Sequence, residues 1–275
     1  MVAGGVRSGT MILMIVVGLL PAMGGIAAAQ PVTLTREIPP DIPSDVRKQI
    51  ERLHSSNPAR RARASRSLGE MGAKAAPAVP FLVELLNDRE VAKSFGDRML
   101  DVLSPLGGSG IGVWDEARRA LVRIGAFSVE PLVTALHDER PRVRKHAALT
   151  LGGIKHPRAV DPLINALQDR DVEVRMWAAK ALGDIGNSRA VEPLLSAMKD
   201  EDPNVRQYAL TALGAIRDWR AIEPLIEELK KAPPSPWAAT ALFEITGERL
   251  GEDPQKWQEW WDRNRAAYEK PQNEK

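Results

Sequence analysis

Histidines are the side chains of this 275-residue sequence best suited to acid–base or metal chemistry. No two of them have the H-x-x-x-H or His–carboxylate spacing that places two ligands on one face of a helix. Cysteine is absent, so thiolate metal sites and disulfides are excluded. The four histidines fall in different predicted elements: His54, His137, His146 and His156. We therefore predict no metal site and no histidine-based catalytic centre.

The glycine-rich stretch from Gly107 to Ile111 is the other candidate for chemistry. It begins like a nucleophile elbow, but Ile111 stands where the last glycine of that motif belongs, and no predicted strand precedes it. It also lacks the Lys-Ser/Thr pair that binds phosphate in a P-loop. The sequence therefore predicts a protein that is not an enzyme, with no catalytic residues and no cofactor.

A repeat of 31 residues predicts the secondary-structure elements that position these side chains. The second copy reads DRDVEVRMWAAKALGDIGNSRAVEPLLSAM from Asp169. A fixed period of this length is typical of stacked supersecondary units. Three sets of residues are 31 apart: Asp138, Asp169 and Asp200; Arg144, Arg175 and Arg206; and Pro162, Pro193 and Pro224.

Each copy has the pattern of two helices. In the second copy Val174, Ala178 and Leu182 recur at helical spacing and form one apolar stripe, and Gly186 ends that helix. Neither helix can bury its stripe alone, so the repeats must stack. The repeated arginines are predicted to form a structural ladder with aspartates of the adjoining turns, drawn from Asp138, Asp169, Asp171, Asp200 and Asp202.

Residues 1–29 are predicted to be a signal peptide. Arg7 supplies the positive charge, Met11 to Leu20 the apolar run, and Ala29 the last residue before cleavage. The run is shorter than the roughly 20 residues that span a membrane, and an uncleaved anchor is the alternative. Removal of this segment leaves 37 basic and 36 acidic residues out of 38 and 36. The sequence predicts a periplasmic or secreted protein with no membrane span after cleavage.

The rest of the chain is divided by changes in composition and period. A proline-rich linker is predicted at residues 30–43, a solenoid at 44–250, and a tryptophan-rich capping helix at 251–270. Residues 88–112 interrupt the solenoid as an insertion. Such an insertion is either a binding loop or a tolerated surface excursion.

The string VR…AA…ALG…IG…RAVEPL, best seen from Val174 to Leu194, resembles the bacterial HEAT repeats in their short phycobilisome-lyase-type form. The resemblance covers roughly residues 44–246. It implies an all-α fold, a right-handed α-solenoid of stacked antiparallel helix pairs. Similar repeats occur in enzymes that attach bilin chromophores, so the resemblance also leaves open a lyase-like enzyme or subunit acting on a tetrapyrrole or other prosthetic group.

Alignment of the first helices on their shared leucine brings His146, Trp177, Tyr208 and Trp237 to one position, off the apolar stripe. In related repeats this face varies and binds partners, so the resemblance implies an interface here. Local packing between the repeats is the other interpretation. The predicted partner-binding residues are Arg142, His146, Glu173, Met176, Trp177, Lys180, Gln207, Tyr208 and Trp237.

A second charged surface is indicated by Arg60, Arg63 and Arg66, which fall near one face of the first repeat helix. They indicate either an anionic partner or a solvated basic face. Nucleic-acid binding conflicts with the formal net charge of +2. We predict a monomeric scaffold that binds a protein or peptide on the aromatic face of the solenoid.

Overall fold

The computed structural model describes residue 34 and residues 36–89, 91–92 and 111–269. The predicted signal peptide, including its cleavage site, and most of the predicted insertion lie outside the described residues. Within the described part of the chain, no helix has both the length and the apolar character needed to cross a bilayer.

Each repeat begins with a long first helix. These helices are α2 (Pro58–Met71), α4 (Val113–Ile124), α6 (Pro141–Ile154), α8 (Val172–Ile185), α10 (Pro203–Ile216) and α12 (Pro236–Thr246). In α8, Asp171 caps the start by accepting a hydrogen bond from Val174 N at 3.2 Å. Gly186, with φ of 73°, ends it in the left-handed conformation.

A shorter second helix completes each full repeat, entered through a 3-10 turn. The second helices are α3 (Val79–Glu84), α5 (Val129–Ala135), α7 (Val160–Ala166), α9 (Val191–Ala197) and α11 (Ile222–Leu229). The turns before them are Gly72–Ala78, Gly125–Ser128, Pro157–Ala159, Ser188–Ala190 and Trp219–Ala221, and a further 3-10 turn, Leu85–Asn87, follows α3. The predicted all-α solenoid of stacked helix pairs is confirmed.

Terminal helices and one strand pair complete the described fold. α1 (Ser44–Leu53) buries Val46, Ile50 and Leu53, which lie on one face of the helix. α13 (Pro254–Tyr268) packs against α11 and buries Trp257 and Trp261. At the base of the insertion, β1 (Val91–Ala92) pairs antiparallel with β2 (Ile111–Gly112).

Part of the predicted linker packs on the solenoid. Leu34 and Ile42 are buried and join the hydrophobic core. Arg47 of α1 donates a hydrogen bond to Pro39 O at 2.5 Å. These contacts extend the covered end of the stack beyond the predicted boundary at residue 44.

Glycines on the first helices let neighbouring repeats approach closely. A Cβ on Gly152 would lie 2.8 Å from Ala181 Cα, and a Cβ on Gly183 would lie 2.8 Å from Ala212 Cα. Backbone cannot move aside as a flexible side chain can, so only glycine fits here. The same contact joins Gly69 to Ala120 and Gly214 to Ala241.

The α4–α6 junction lacks this contact. Val122 stands where the glycine would be, and Thr150 stands where the next helix would present alanine. Accordingly, α4 packs less closely on α6 than α6 packs on α8. The solenoid therefore changes its packing next to the insertion.

The predicted arginine ladder is present. Arg175 Nε and Nη2 donate to the two carboxylate oxygens of Asp200 at 2.8 and 2.9 Å, and Arg175 Nη1 donates to Asp169 O at 3.0 Å. Arg144 makes the equivalent pair with Asp169, with both bonds at 2.7 Å. Each guanidinium thus joins the turn before its repeat to the turn after it, with a planar two-bond match that lysine lacks.

The ladder also includes one further rung, that is, an Arg–Asp pair, which lies outside the 31-residue period. Arg61 Nε donates to Asp88 at 2.8 Å, and both side chains are buried. At the other end Arg206 donates to Asp200 O at 2.8 Å, but Lys231 replaces the carboxylate that it would otherwise bind. The prediction is therefore confirmed for Arg144 and Arg175, and for Arg206 only in part.

Substitution of adjacent glycines tests the close approach of the first helices. Gly152→Ala would force a Cβ into the backbone of Ala181, and we expect a loss of about 1–3 kcal/mol in the free energy of unfolding. Gly153→Ala meets only the tip of Val122 at 3.0 Å and gains helix propensity, so a much smaller change is expected. Urea unfolding of both variants measures the difference, and equal losses would contradict the packing argument.

Arginine substitution tests the ladder. Arg175→Ala leaves the Asp200 carboxylate buried without its partner, and we expect a loss of roughly 3 kcal/mol or more. Arg189→Ala removes an equally short pair with Asp161, but those side chains are 63% and 61% exposed, so the expected loss is below about 1 kcal/mol. Thermal and urea unfolding compare the two, and a similar cost for both would show that burial does not govern the ladder.

Candidate partner-binding surface

Stacking of the first helices brings two of the predicted aromatics together. Trp177 of α8 and Tyr208 of α10 have ring centroids 6.0 Å apart, inclined at 42°. Both are half-buried and pack against the edge of the core. Met176 and Gln207, one residue earlier on each helix, are also half-buried. The rings therefore pack between repeats, as the alternative interpretation expects, while part of each side chain also reaches the surface.

Trp237 occupies the equivalent position on α12, the final member of the series of first helices. It lies one residue after the start of α12 and is 45% exposed. Exposure of this size leaves one face of a large indole ring in contact with water. Trp237 is therefore the predicted site residue with the most apolar surface available to a partner.

Charged members of the predicted site flank the aromatic row. Glu173 at the start of α8 accepts a hydrogen bond from Lys145 Nζ at 2.9 Å. Lys180, one turn beyond Trp177, donates to Asp184 at 2.6 Å. Since both ion pairs involve partly exposed side chains, a binding partner could replace either contact at a small cost in free energy.

His146 departs from the predicted row, because it is buried rather than exposed. Trp114 of α4 stacks on its ring, with centroids 4.1 Å apart and an interplanar angle of 2°. His146 Nδ1 lies 2.7 Å from Leu86 O, so this nitrogen carries the proton and donates it to the carbonyl. The altered packing at the α4–α6 junction, where α4 and the end of the first repeat cover α6, accounts for the difference.

Burial controls the protonation of His146. Loss of solvent around the ring, together with the charges of the nearby Arg142 and Lys145, lowers its pKa from 6.5 to about 4. The hydrogen bond to Leu86 O opposes this shift only in part. The ring is therefore neutral at pH 7 and forms part of an interior contact.

Arg142 belongs to the same buried cluster. Its Nη2 donates to Asp88 O at 3.3 Å, and its guanidinium carbon lies 6.0 Å from the centroid of the Trp114 ring. Its Nε is buried with no hydrogen-bond partner. Burial, together with the charge of Arg89, lowers the pKa of Arg142. Arg142 and His146 thus form part of the interior at this junction.

Trp114 is not among the predicted site residues, although the sequence contains a signal for it. In the regular repeats, a ladder arginine lies seven residues before the repeated leucine, as Arg175 does before Leu182. In the second repeat the same position, seven residues before Leu121, holds Trp114. The same count identifies Arg61 before Leu68. Extending the alignment into the divergent repeats would therefore have found both the extra rung and its interruption.

The predicted basic face on α2 is largely occupied by contacts within the chain. Arg66 donates to Glu116 of α4 at 2.7 Å, and Arg63 donates to Ala59 O at 3.1 Å. Arg60 remains exposed. This arrangement favours a solvated, structural face over an anion site.

Within the described residues, no group of three or more metal-ligating side chains comes together. The histidines also remain separate: His54 follows α1, His137 follows α5, His146 lies in α6 and His156 precedes α7.

Comparison with sequence families gives matches on both sides of the insertion. The model described as HEAT repeats matches residues 116–169, 129–199 and 160–244. The model described as PBS lyase HEAT-like repeat matches residues 60–88. No curated protein matches the sequence.

Solved structures with similar folds are solenoids of very different sequence. Kap121p has a TM-score of 0.55 and 15% identity, over 81% of this chain and 27% of that chain. The complex of CpcE and CpcF of phycocyanin lyase from Nostoc sp. PCC7120 has a TM-score of 0.47 and 24% identity, over 62% and 98%. An engineered protein has a TM-score of 0.44 and 25% identity, over 74% and 98%. At 15% identity, the similarity to Kap121p bears on the fold alone.

The His146 environment predicts how stability changes with pH. Because the folded pKa of about 4 lies below the unfolded value of about 6.5, the full stabilisation is present above pH 6.5 and is lost as the pH falls towards 4. We expect a loss of roughly 2–3 kcal/mol from this ring, measured by urea unfolding between pH 7 and pH 4.

His146→Gln keeps a hydrogen-bond donor without a titrating group, so its stability should change less over the same pH range. An NMR titration follows the ring directly in the original protein, and Trp114→Ala should raise the pKa by admitting water. A pKa near 6.5 with Trp114 in place would contradict the burial of His146.

Proposed function

We propose, since this chain belongs to the HEAT-repeat proteins, that it is a non-enzymatic scaffold that binds a protein or peptide on the outer face of its first helices. The observation that carries the proposal is the line of non-repeated aromatics on this face. Trp177 and Tyr208 form a pair, and Trp237 remains 45% exposed beyond them. We define these three residues as the aromatic surface.

The composition of the aromatic surface suits a protein interface. Tryptophan and tyrosine are enriched among the residues that dominate binding energy, since a rigid ring buries a large area with little loss of conformational freedom. The half-buried Trp177–Tyr208 pair is held by the helices beneath it, so its orientation is already set before a partner binds. Glu173 and Lys180 supply a polar rim at one side.

The alternative of an enzyme acting on a tetrapyrrole is not favoured. Among the described residues, the histidines belong to separate elements, and His146 is held neutral within an internal stack. We propose instead that the role is recognition, carried out by a monomer after export through the predicted signal peptide.

Site-specific photocrosslinking tests the proposed surface. With p-benzoylphenylalanine in place of Trp237, we expect a crosslinked protein partner in cells that naturally make this chain. The matched control places the same probe at Phe127, which is 59% exposed in the turn before α5. Adducts from position 237 and none from position 127 would support the surface, whereas equal adducts from both would contradict it.

Two further readouts sharpen the experiment. Combined Trp177→Ala and Tyr208→Ala substitution should reduce the adduct at position 237 by roughly tenfold or more, since truncation of such anchors commonly costs about 2 kcal/mol. Circular dichroism confirms that this variant is folded. Mass spectrometry of the recovered chain also reads its first residue, which we expect to be Gln30, and a chain that retains Met1 to Ala29 would contradict cleavage.

A further inference from the structure

A second surface feature lies away from the aromatic surface, at the carboxy-terminal end of the solenoid. An open groove of about 590 Å³ runs between α9, α11 and α13. Leu195 and Pro224 supply apolar lining, and Glu192, Glu223 and Glu227 bring three carboxylates to it. The volume lies within the range of sites that hold a small ligand or a short peptide segment.

Trp219 gives this groove an aromatic wall. It begins the turn before α11 and is 37% exposed. The equivalent residues in the two preceding repeats are Ser188 and Pro157. An exposed indole beside carboxylates is suited to a cation, because the ring face attracts positive charge while the carboxylates pair with it.

Glu192 differs in its ion pairing from the equivalent acidic residues of the two preceding repeats. In the preceding repeats the acid at this position pairs with an arginine of the next turn: Arg158 lies 3.7 Å from Glu130, and Arg189 lies 2.6 Å from Asp161. For Glu192 the equivalent arginine is Arg220, which also lines the groove and whose pKa is raised by its hydrogen bond to Asp218 and in part by the charge of Glu192, but no ion pair within 4.0 Å joins Arg220 and Glu192 in the described residues.

Asp218 explains why Glu192 lacks its arginine. Asp218 stands where the preceding turns have Asn187 and His156, and it binds Arg220 through two hydrogen bonds at 2.9 and 2.7 Å. This bond lowers the pKa of Asp218, so the pair persists at neutral pH. Glu192 is therefore left without an ion pair in the described part of the chain.

The other two carboxylates are only partly neutralised. Arg265 lies 3.6 Å from Glu223, about the separation of the Arg158–Glu130 pair, and also donates a hydrogen bond to Glu269 at 2.6 Å. Glu227 accepts a hydrogen bond from Lys230 at 2.5 Å, one turn along α11. A guest cation would thus meet no close ion pair at Glu192, whereas at Glu223 it would share the carboxylate with Arg265.

Trp261 supplies an independent indication of a ligand. It lines the groove and is 1% exposed, yet its indole nitrogen has no hydrogen-bond acceptor. By contrast, Trp257 on the same helix donates to Gly251 O at 2.8 Å. A buried N–H without an acceptor is costly, and a ligand carbonyl that reached it would remove that cost.

We propose that this groove binds an extended peptide segment bearing a lysine or arginine, whose cation lies between Glu192 and Glu223 against Trp219 and whose backbone carbonyl accepts the Trp261 N–H. The peptide satisfies both features at once, because it carries a cation and carbonyl oxygens at fixed separation. This site is separate from the aromatic surface, so either proposal can fail without the other.

Fluorescence anisotropy with the full chain tests the groove. The probe is a fluorescein-labelled (Ser-Lys-Ser-Arg)2 amide, and the matched control peptide replaces each basic residue with glutamate. We expect binding of the basic peptide only, weakened by added salt. Glu192→Gln and Trp219→Ala should each weaken it by roughly five- to tenfold. Binding of both peptides alike would overturn the proposal.

Two further variants separate the site from general charge effects. Asp161→Asn removes the equivalent carboxylate one repeat away and should leave the affinity unchanged. Asp218→Asn removes the same charge but frees Arg220 to pair with Glu192, so it should weaken binding as Glu192→Gln does. Equal affinities for the two variants would contradict the explanation of the free carboxylate.

Trp261→Phe tests the carbonyl contact, since it removes the N–H and leaves a smaller aromatic ring. We expect a roughly threefold or greater loss of peptide affinity, together with some fall in thermal stability because the second ring is lost from a buried position. Trp257→Phe, at the buried indole that already donates to Gly251 O, is the matched control and should leave the affinity unchanged. Lysine amide serves as the competitor for a site that binds only a small cation. If it bound as tightly as the peptide, or if Trp261→Phe bound the peptide unchanged, the assignment of an extended peptide would be wrong.

Discussion

The approach of glycine to alanine between successive first helices is the constraint on which this solenoid depends. Because glycine has no Cβ, the backbones of neighbouring first helices can approach closely and their apolar stripes align. As a result, Leu151, Leu182 and Leu213 are fully buried. The arginine ladder then fixes the turns at one edge of the stack. Surface residues one repeat apart become neighbours as a result, which is how Trp177 meets Tyr208 although they are far apart in sequence.

Features that recur with the period could be predicted from the sequence. Repeated leucines, alanines and glycines indicate both the helices and the face that each one buries, and the repeated Arg–Asp spacing predicts the ladder. The aromatic row follows from the same alignment, because equivalent positions on stacked helices must lie side by side. This inference succeeds for Trp177 and Tyr208, where the stack is regular.

Features that break the period could not be predicted in the same way. The burial of His146 depends on Trp114 and Leu86, which reach it only because the packing changes beside the insertion. The available carboxylate at Glu192 depends on Asp218 capturing Arg220, a competition between two acids for one guanidinium. Neither outcome follows from spacing, because each is decided by the relative geometry of side chains from different turns.

The α4–α6 junction, which lacks both the glycine–alanine contact and the ladder rung at Trp114, has a consequence for cooperativity. In a linear array each repeat is stabilised by its contacts with its immediate neighbours. The whole array therefore unfolds as one unit only if every one of these interfaces is strong. Here the direct packing of α4 on α6 is reduced, and the imidazole of His146, the indole of Trp114 and the guanidinium of Arg142 meet at this junction, while α5 still packs on α6. We therefore expect the coupling across this junction to be weaker than that between the regular repeats, and to weaken further in acid as the imidazole is protonated.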